Sequence, residues 1–158
     1  VDKTAIISPC GRYRYVLTRI WDEDLPVLVF CMLNPSTADA SQDDPTIRRC
    51  IGFAKREGCG GIAVVNLFAW RATHPDEMPI LDDDKTGPDN HMHIADTVRG
   101  RRVVVAYGAH ASAHPWTVKP LLQVIRSFAA GLYHLGTTKS GAPRHPLYVR
   151  GDEPLVEF

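Results

Sequence analysis

An apolar run that turns polar abruptly constrains this chain more than any other feature. Residues 27–33, VLVFCML, carry no charge, and Asn34-Pro35-Ser36 follows at once. A run of that length reads as a strand buried on both faces, the kind found in a parallel sheet. Residues just past the carboxyl end of such a strand line the crevice where open α/β sheets bind ligands. Here that loop carries Asn34, Ser36, Thr37, Asp39, Asp43 and Asp44.

The same pattern recurs. Residues 62–68, IAVVNLF, form a second buried run that contains Asn66. Residues 102–107, RVVVAY, form a third, followed by Gly108-Ala109-His110. Residues 132–135 make a short fourth strand. Helices are expected between them. Asp44-Pro45-Thr46 is a helix start with proline at the first position, and Ile47, Cys50, Ile51 and Ala54 follow at helical spacing. Residues 90–99 and 116–130 are the other helices, the latter burying Val118, Leu121, Leu122, Ile125 and Phe128 on one face. Residues 74–89, rich in proline and aspartate, are a long excursion with at most one helical turn. Upstream, residues 13–20 alternate as a half-buried strand, expected to pair antiparallel with residues 27–33 as a hairpin. The alternation predicts one α/β domain over residues 1–158, with a short, mainly parallel sheet, helices on both faces and an N-terminal antiparallel strand.

With 158 residues, 44% of them hydrophobic, the chain has enough apolar material for one core. A formal net charge of zero argues against a dedicated duplex-binding surface, which carries a basic excess. No apolar run approaches the roughly 18 residues of a membrane span, and no secretory signal is evident, so a soluble cytoplasmic protein is expected. Cys10, Cys31, Cys50 and Cys59 include no pair at CxxC spacing and read as free thiols.

The strand exits are the candidate site. Asparagine offers donors and acceptors without changing charge, so Asn34 and Asn66 suit reading a base edge or orienting a water. Each also has a structural reading, Asn34 as a turn residue and Asn66 as a core amide. Gly108 leaves room for a ligand to approach. His145, beside Arg144 and Pro146 in a loop that also holds Lys139, suits donation to a carbonyl when neutral, or to a phosphate when charged. Asp39, Asp43 and Asp44 are divided between helix capping, solvent and chemistry.

Three phrases carry a resemblance: LNPSTADASQDDPTIRRCIGFAKREGCGGIAVVNLFAWRAT, AYGAH and TKSGAPRHPLYV. Over about residues 10–150 the chain closely resembles the bacterial family called domain of unknown function 1643, which brings no activity with it. It is more distantly similar to the uracil-DNA glycosylase superfamily. Met32-Leu33-Asn34-Pro35-Ser36 resembles that superfamily's first motif, Asn66 its base-reading asparagine, Tyr107-Gly108 its Trp-Gly, and His145-Pro146 the start of its His-Pro-Ser. Leu147-Tyr148 departs from the small residue expected there, and the acidic loop after Asn34 departs from glycine-rich equivalents.

The resemblance implies a three-layer α/β/α sandwich and hydrolysis of an N-glycosidic bond of a nucleobase, in DNA or a nucleotide. Asn34, with Asp39, would position the water. Asn66, Pro35, Ser36 and Gly108 would bind the base. His145, with Lys139 or Arg144, would stabilise the leaving anion. No metal or cofactor is expected, and the partners are a nucleobase, a nucleotide or, transiently, DNA. Two other readings stand beside it: a nucleotide-binding or sensing module without catalysis, and a metal-dependent phosphohydrolase using Asp39, Asp43 and Asp44.

Overall fold

A computed structural model describes the backbone of residues 1–158 and every side chain except that of Pro75. Seven strands form one mixed sheet. They are β1 (Asp2–Ile7), β2 (Arg14–Ile20), β3 (Val27–Met32), β4 (Gly61–Asn66), β5 (Arg102–Val105), β6 (Gly131–His134) and β7 (Val156–Glu157), in the order β1-β2-β4-β3-β5-β6-β7. The four central strands are parallel, and β1, β2 and β7 are antiparallel additions at the edges. Four α-helices accompany them: α1 (Pro45–Arg56), α2 (Asp82–Thr86), α3 (Asn90–Val98) and α4 (Pro115–Phe128).

Side chains of β3 divide the core in two, as a pleat of period two requires. Leu28, Phe30 and Met32 pack with Ile47, Cys50, Phe53 and Ala54 of α1. Val29 and Cys31 pack with Ile94 and Val98 of α3 and with Val118, Leu121 and Ile125 of α4. The uncharged run of β3 is thus apolar because both its faces are covered. Asp44 caps α1, its carboxylate accepting from the Ile47 amide at 2.8 Å. All four cysteines are free, and Cys31, Cys50 and Cys59 are buried. Among the described residues, no helix is long and apolar enough to cross a membrane.

The strand of residues 13–20 does not form the expected hairpin with residues 27–33. As β2 it pairs with β1 on one side and β4 on the other. Glycine explains how β4 takes that place. A Cβ on Gly60 would lie 2.0 Å from the Asp22 carbonyl, so the turn after β2 closes directly onto the start of β4. Phe128 is partly exposed under the Arg99 guanidinium, 4.5 Å from its ring centre, rather than sealed in the core. The excursion holds α2 in addition to a single 3₁₀ turn.

Strand order sets the site. From β3 the chain crosses to β4 on one side, then returns past β3 to β5 on the other. The exits of β3 and β5 therefore diverge at a topological switch point, where open α/β sheets form their crevice.

Candidate functional site

At that point lies a cleft of about 820 Å³. Asn34 and Ser36 reach it from β3. Asp44, Thr46 and Ile47 reach it from the start of α1, and Tyr107, Gly108 and His110 from the exit of β5. Thr138, Lys139, Arg144, His145, Leu147 and Tyr148 close it from the loop after β6. Met32, Leu33, Ile47, Tyr107, Leu147 and Tyr148 give it apolar and aromatic surface, and polar and charged side chains make up the rest of the lining, a mixture that suits a polar small molecule with an apolar or aromatic body.

Asn34 is held at the mouth of β3. Its Nδ2 donates to the Ala72 carbonyl at 2.7 Å and the Pro35 carbonyl at 3.0 Å. Both donors point into protein, and its Oδ1 has no protein partner among the described residues. Pro35 is buried and works through its backbone, its carbonyl also accepting from the Ala72 amide. It does not line the cleft.

His145 is fixed from two sides. Gly108 takes φ 74° and ψ −177°, a region essentially restricted to glycine. In that conformation its amide donates to the Pro143 carbonyl at 2.8 Å and draws the loop against β5. Arg49 of α1 donates to the Pro146 carbonyl at 3.3 Å and to the Val149 carbonyl, clamping the turn that follows. The Leu147 amide donates to His145 Nδ1 at 3.2 Å. Nδ1 is therefore the acceptor nitrogen, and the neutral ring carries its proton on Nε2. Burial pushes the His145 pKa below the ordinary imidazole value, while the nearby Asp44 carboxylate acts the other way. A neutral imidazole with an Nε2–H donor is the result. Lys139 and Arg144 are exposed at the rim and make no salt bridge among the described residues, although Arg144 Nε donates to the Thr137 carbonyl.

Besides Pro35, two more expected residues are not brought to the cleft. Asp39 accepts at Oδ1 from the amides of Ser41 and Gln42, at 2.9 and 2.8 Å, and serves its own turn. Those backbone hydrogen bonds hold its carboxyl below the usual carboxylate range. Asn66 is 1% exposed at the end of β4, opposite Met32, and neither of its amide atoms has a partner among the described residues. It does not line the cleft.

The acidic loop is likewise occupied. Asp43 pairs with Arg19 at 2.7 Å and with Lys3 at 3.4 Å. Arg19 is fully buried and also donates to the carbonyls of Asp39 and Gln42, lashing the loop to β2. Among the described residues, no group of three or more His, Cys, Asp or Glu side chains is placed to hold a metal ion.

The sequence reading missed Arg14. It is 2% exposed yet lines the cleft, donating through Nη1 to the Ala38 carbonyl at 2.9 Å. Burial lowers its pKa to about 10, with Asp44 opposing the fall. Alternation along β2 hid it, because an arginine in a half-buried strand reads as facing water.

The family model described as protein of unknown function DUF1643 matches residues 14–147. The chain belongs to that family. The matched span of this DUF1643 chain takes in the core strands and all the cleft residues up to Leu147. Comparison with curated proteins and with solved structures returned no match.

Proposed function

We propose that this DUF1643 protein binds a nucleobase in the cleft and hydrolyses its N-glycosidic bond, on a three-layer sandwich of the uracil-DNA-glycosylase kind. The observation that carries the reading is the pairing of Asn34 and His145 across one cleft. Asn34 offers a free acceptor, and His145 offers a neutral imidazole whose Nε2–H is its only donor. Water accepts orientation from Asn34 Oδ1. Its oxygen bonds to the anomeric carbon as the carbon–nitrogen bond breaks. The bonding pair leaves on the base nitrogen, and His145 donates to a base oxygen or ring nitrogen that gains negative charge, the kind of preorganised stabilisation that most lowers such barriers. A proton from the water finishes on the departed base. Asp44, the one carboxylate among the cleft residues, faces the positive charge that develops on the sugar.

Asp39 has no part in this scheme, because its carboxylate is held in its own turn. A single-metal site on Asp39, Asp43 and Asp44 is disfavoured on the same grounds: one carboxylate serves a turn, one an ion pair and one a helix cap.

One observation favours nucleotide binding without hydrolysis. Both oxygens of Asp44 already accept from backbone amides, those of Ile47 and Ala38, which reduces its capacity to respond to charge on the sugar. Base release separates the readings. The test follows free base from nucleoside monophosphates and from uracil- and hypoxanthine-containing oligonucleotides, single- and double-stranded. Hydrolysis predicts release by the wild type and at least a hundredfold loss in Asn34→Ala and His145→Ala, in the range of acid–base and oxyanion-type groups. Binding without release establishes the second reading.

A further inference from the structure

Arg14 and Asp44 are the two buried charged side chains among the cleft residues. The Arg14 Nη1 donates to the Ala38 carbonyl and its Nε is fully buried without a partner, whereas Nη2 has no protein partner among the described residues and is not one of the fully buried atoms, so it is the donor a ligand can reach. A buried guanidinium with free donors is costly unless something completes its hydrogen bonds. Among the described residues it forms no salt bridge, Asp44 included, so its donors are not consumed by the nearest carboxylate. Yet Asp44 is close enough to act on its charge. The two opposite charges together leave the buried part of the lining near neutrality.

Those facts define what fits there. A full anion beside Arg14 would also meet Asp44, so phosphate belongs at the exposed rim, beside Lys139 and Arg144. A neutral oxygen acceptor is favoured at Arg14. Guanidinium can only donate, so it binds a carbonyl and has nothing to offer an exocyclic amino group. Sites built on fixed hydrogen-bond donors reject ligands lacking the matching acceptor far more strongly than apolar pockets reject an extra methylene. Asn66 cannot do this reading from its position, because it does not line the cleft.

We propose that Arg14 is the specificity-determining residue of the cleft, selecting a carbonyl-bearing base over its amino-bearing counterpart. This rests on the cleft being a nucleobase site and adds the class of base it takes. The ligand lies with its carbonyl edge on Arg14 and its phosphate toward Lys139 and Arg144.

The test is calorimetric binding of two matched pairs to the whole chain. Inosine and adenosine monophosphates differ in oxygen against amino at one ring position, and so do uridine and cytidine monophosphates. A parallel arm uses short single strands bearing uracil or cytosine, which separates a free nucleotide from a base presented by a strand. The expected result is at least tenfold tighter binding of the oxo member, in one arm or both. In Arg14→Gln, which offers donor and acceptor alike, the ratio falls toward one, while Arg14→Lys, a donor only, keeps part of it. Thermal melts without ligand check that each variant is folded. The wild-type ratio stands on its own if a variant fails to fold. Equal binding within both pairs overturns the proposal and leaves the nucleobase site intact, as does an unchanged ratio in folded Arg14→Gln. No binding of any nucleotide or strand overturns both.

Discussion

His145 shows how one backbone contact decides chemistry. Because Leu147 donates to Nδ1, the ring has a single tautomer when neutral and a single place to donate. Burial keeps it neutral. The consequence for stability has a definite sign. With its folded pKa below the unfolded value of about 6.5, the unfolded chain takes up a proton that the folded chain resists. Stability tied to this group is complete above that value and declines as pH falls below it, levelling off once the folded group also protonates. Wild type is therefore expected to lose more stability between pH 7 and pH 5 than His145→Ala does, measured as the difference in urea midpoints. An equal loss in the two proteins would mean that His145 is not held neutral by the fold. Arg14 belongs at this scale too. Nothing in its neighbours, Tyr13 and Tyr15, distinguishes an arginine turned to solvent from one turned inward. Its burial follows from pairing partners far away in sequence, which a local pattern does not contain.

Elements differ in how far they can be read from the chain. The runs that became β3, β4 and β5 were legible because both their faces are covered. A strand with one face in water alternates, so apolarity unbroken over most of six or seven residues marks burial on both sides. The helix at Asp44-Pro45 was legible from its cap, and the Asp44 carboxylate sits on the Ile47 amide as that reading requires. β1 was not legible. It is an edge strand whose residues Asp2, Lys3 and Thr4 are exposed, so it lacks the apolar alternation that marks a strand. Nor was the pairing of β2, since a short connection to β3 suggested a hairpin, while Gly60 and the sheet order made β4 its partner. At the site, Asn34, Ser36, Gly108, Lys139, Arg144 and His145 were legible as strand exits. Asp39 and Asn66 were expected there, but a local turn and the packed end of β4 hold them away.

Arg49 acts between elements. It joins α1 to the 3₁₀ turn Pro146–Tyr148, and so joins the two halves of the cleft. Arg49→Ala removes both carbonyl contacts without touching the cleft lining. We expect base release to fall about tenfold in kcat with little change in KM, as suits a residue that positions His145. Arg49→Lys, which can still reach one carbonyl, restores part of the rate. A pure rise in KM, or no effect in a folded variant, would remove Arg49 from the account.

The molecule as a whole has a formal net charge of zero, and the cleft rim carries two cations, Lys139 and Arg144, that form no salt bridge among the described residues. Local positive charge on a neutral chain suits a small anionic ligand entering a cleft better than a long polyanion laid across a surface. A second hollow, of about 430 Å³, shares Ser36, Ala72 and Thr73 with the cleft but is built from Gly11, Arg12, Trp70 and Arg71. It is the natural rival for any nucleotide. Amide chemical shifts in a nitrogen-15 spectrum, recorded as inosine monophosphate is added, discriminate the two directly. The account predicts that the largest shifts fall on Gly108, Leu147 and residues 138–139, with smaller ones at Gly11 and Arg71. Shifts concentrated on Gly11, Arg12, Trp70 and Arg71, or spread without focus over α3 and α4, would contradict it.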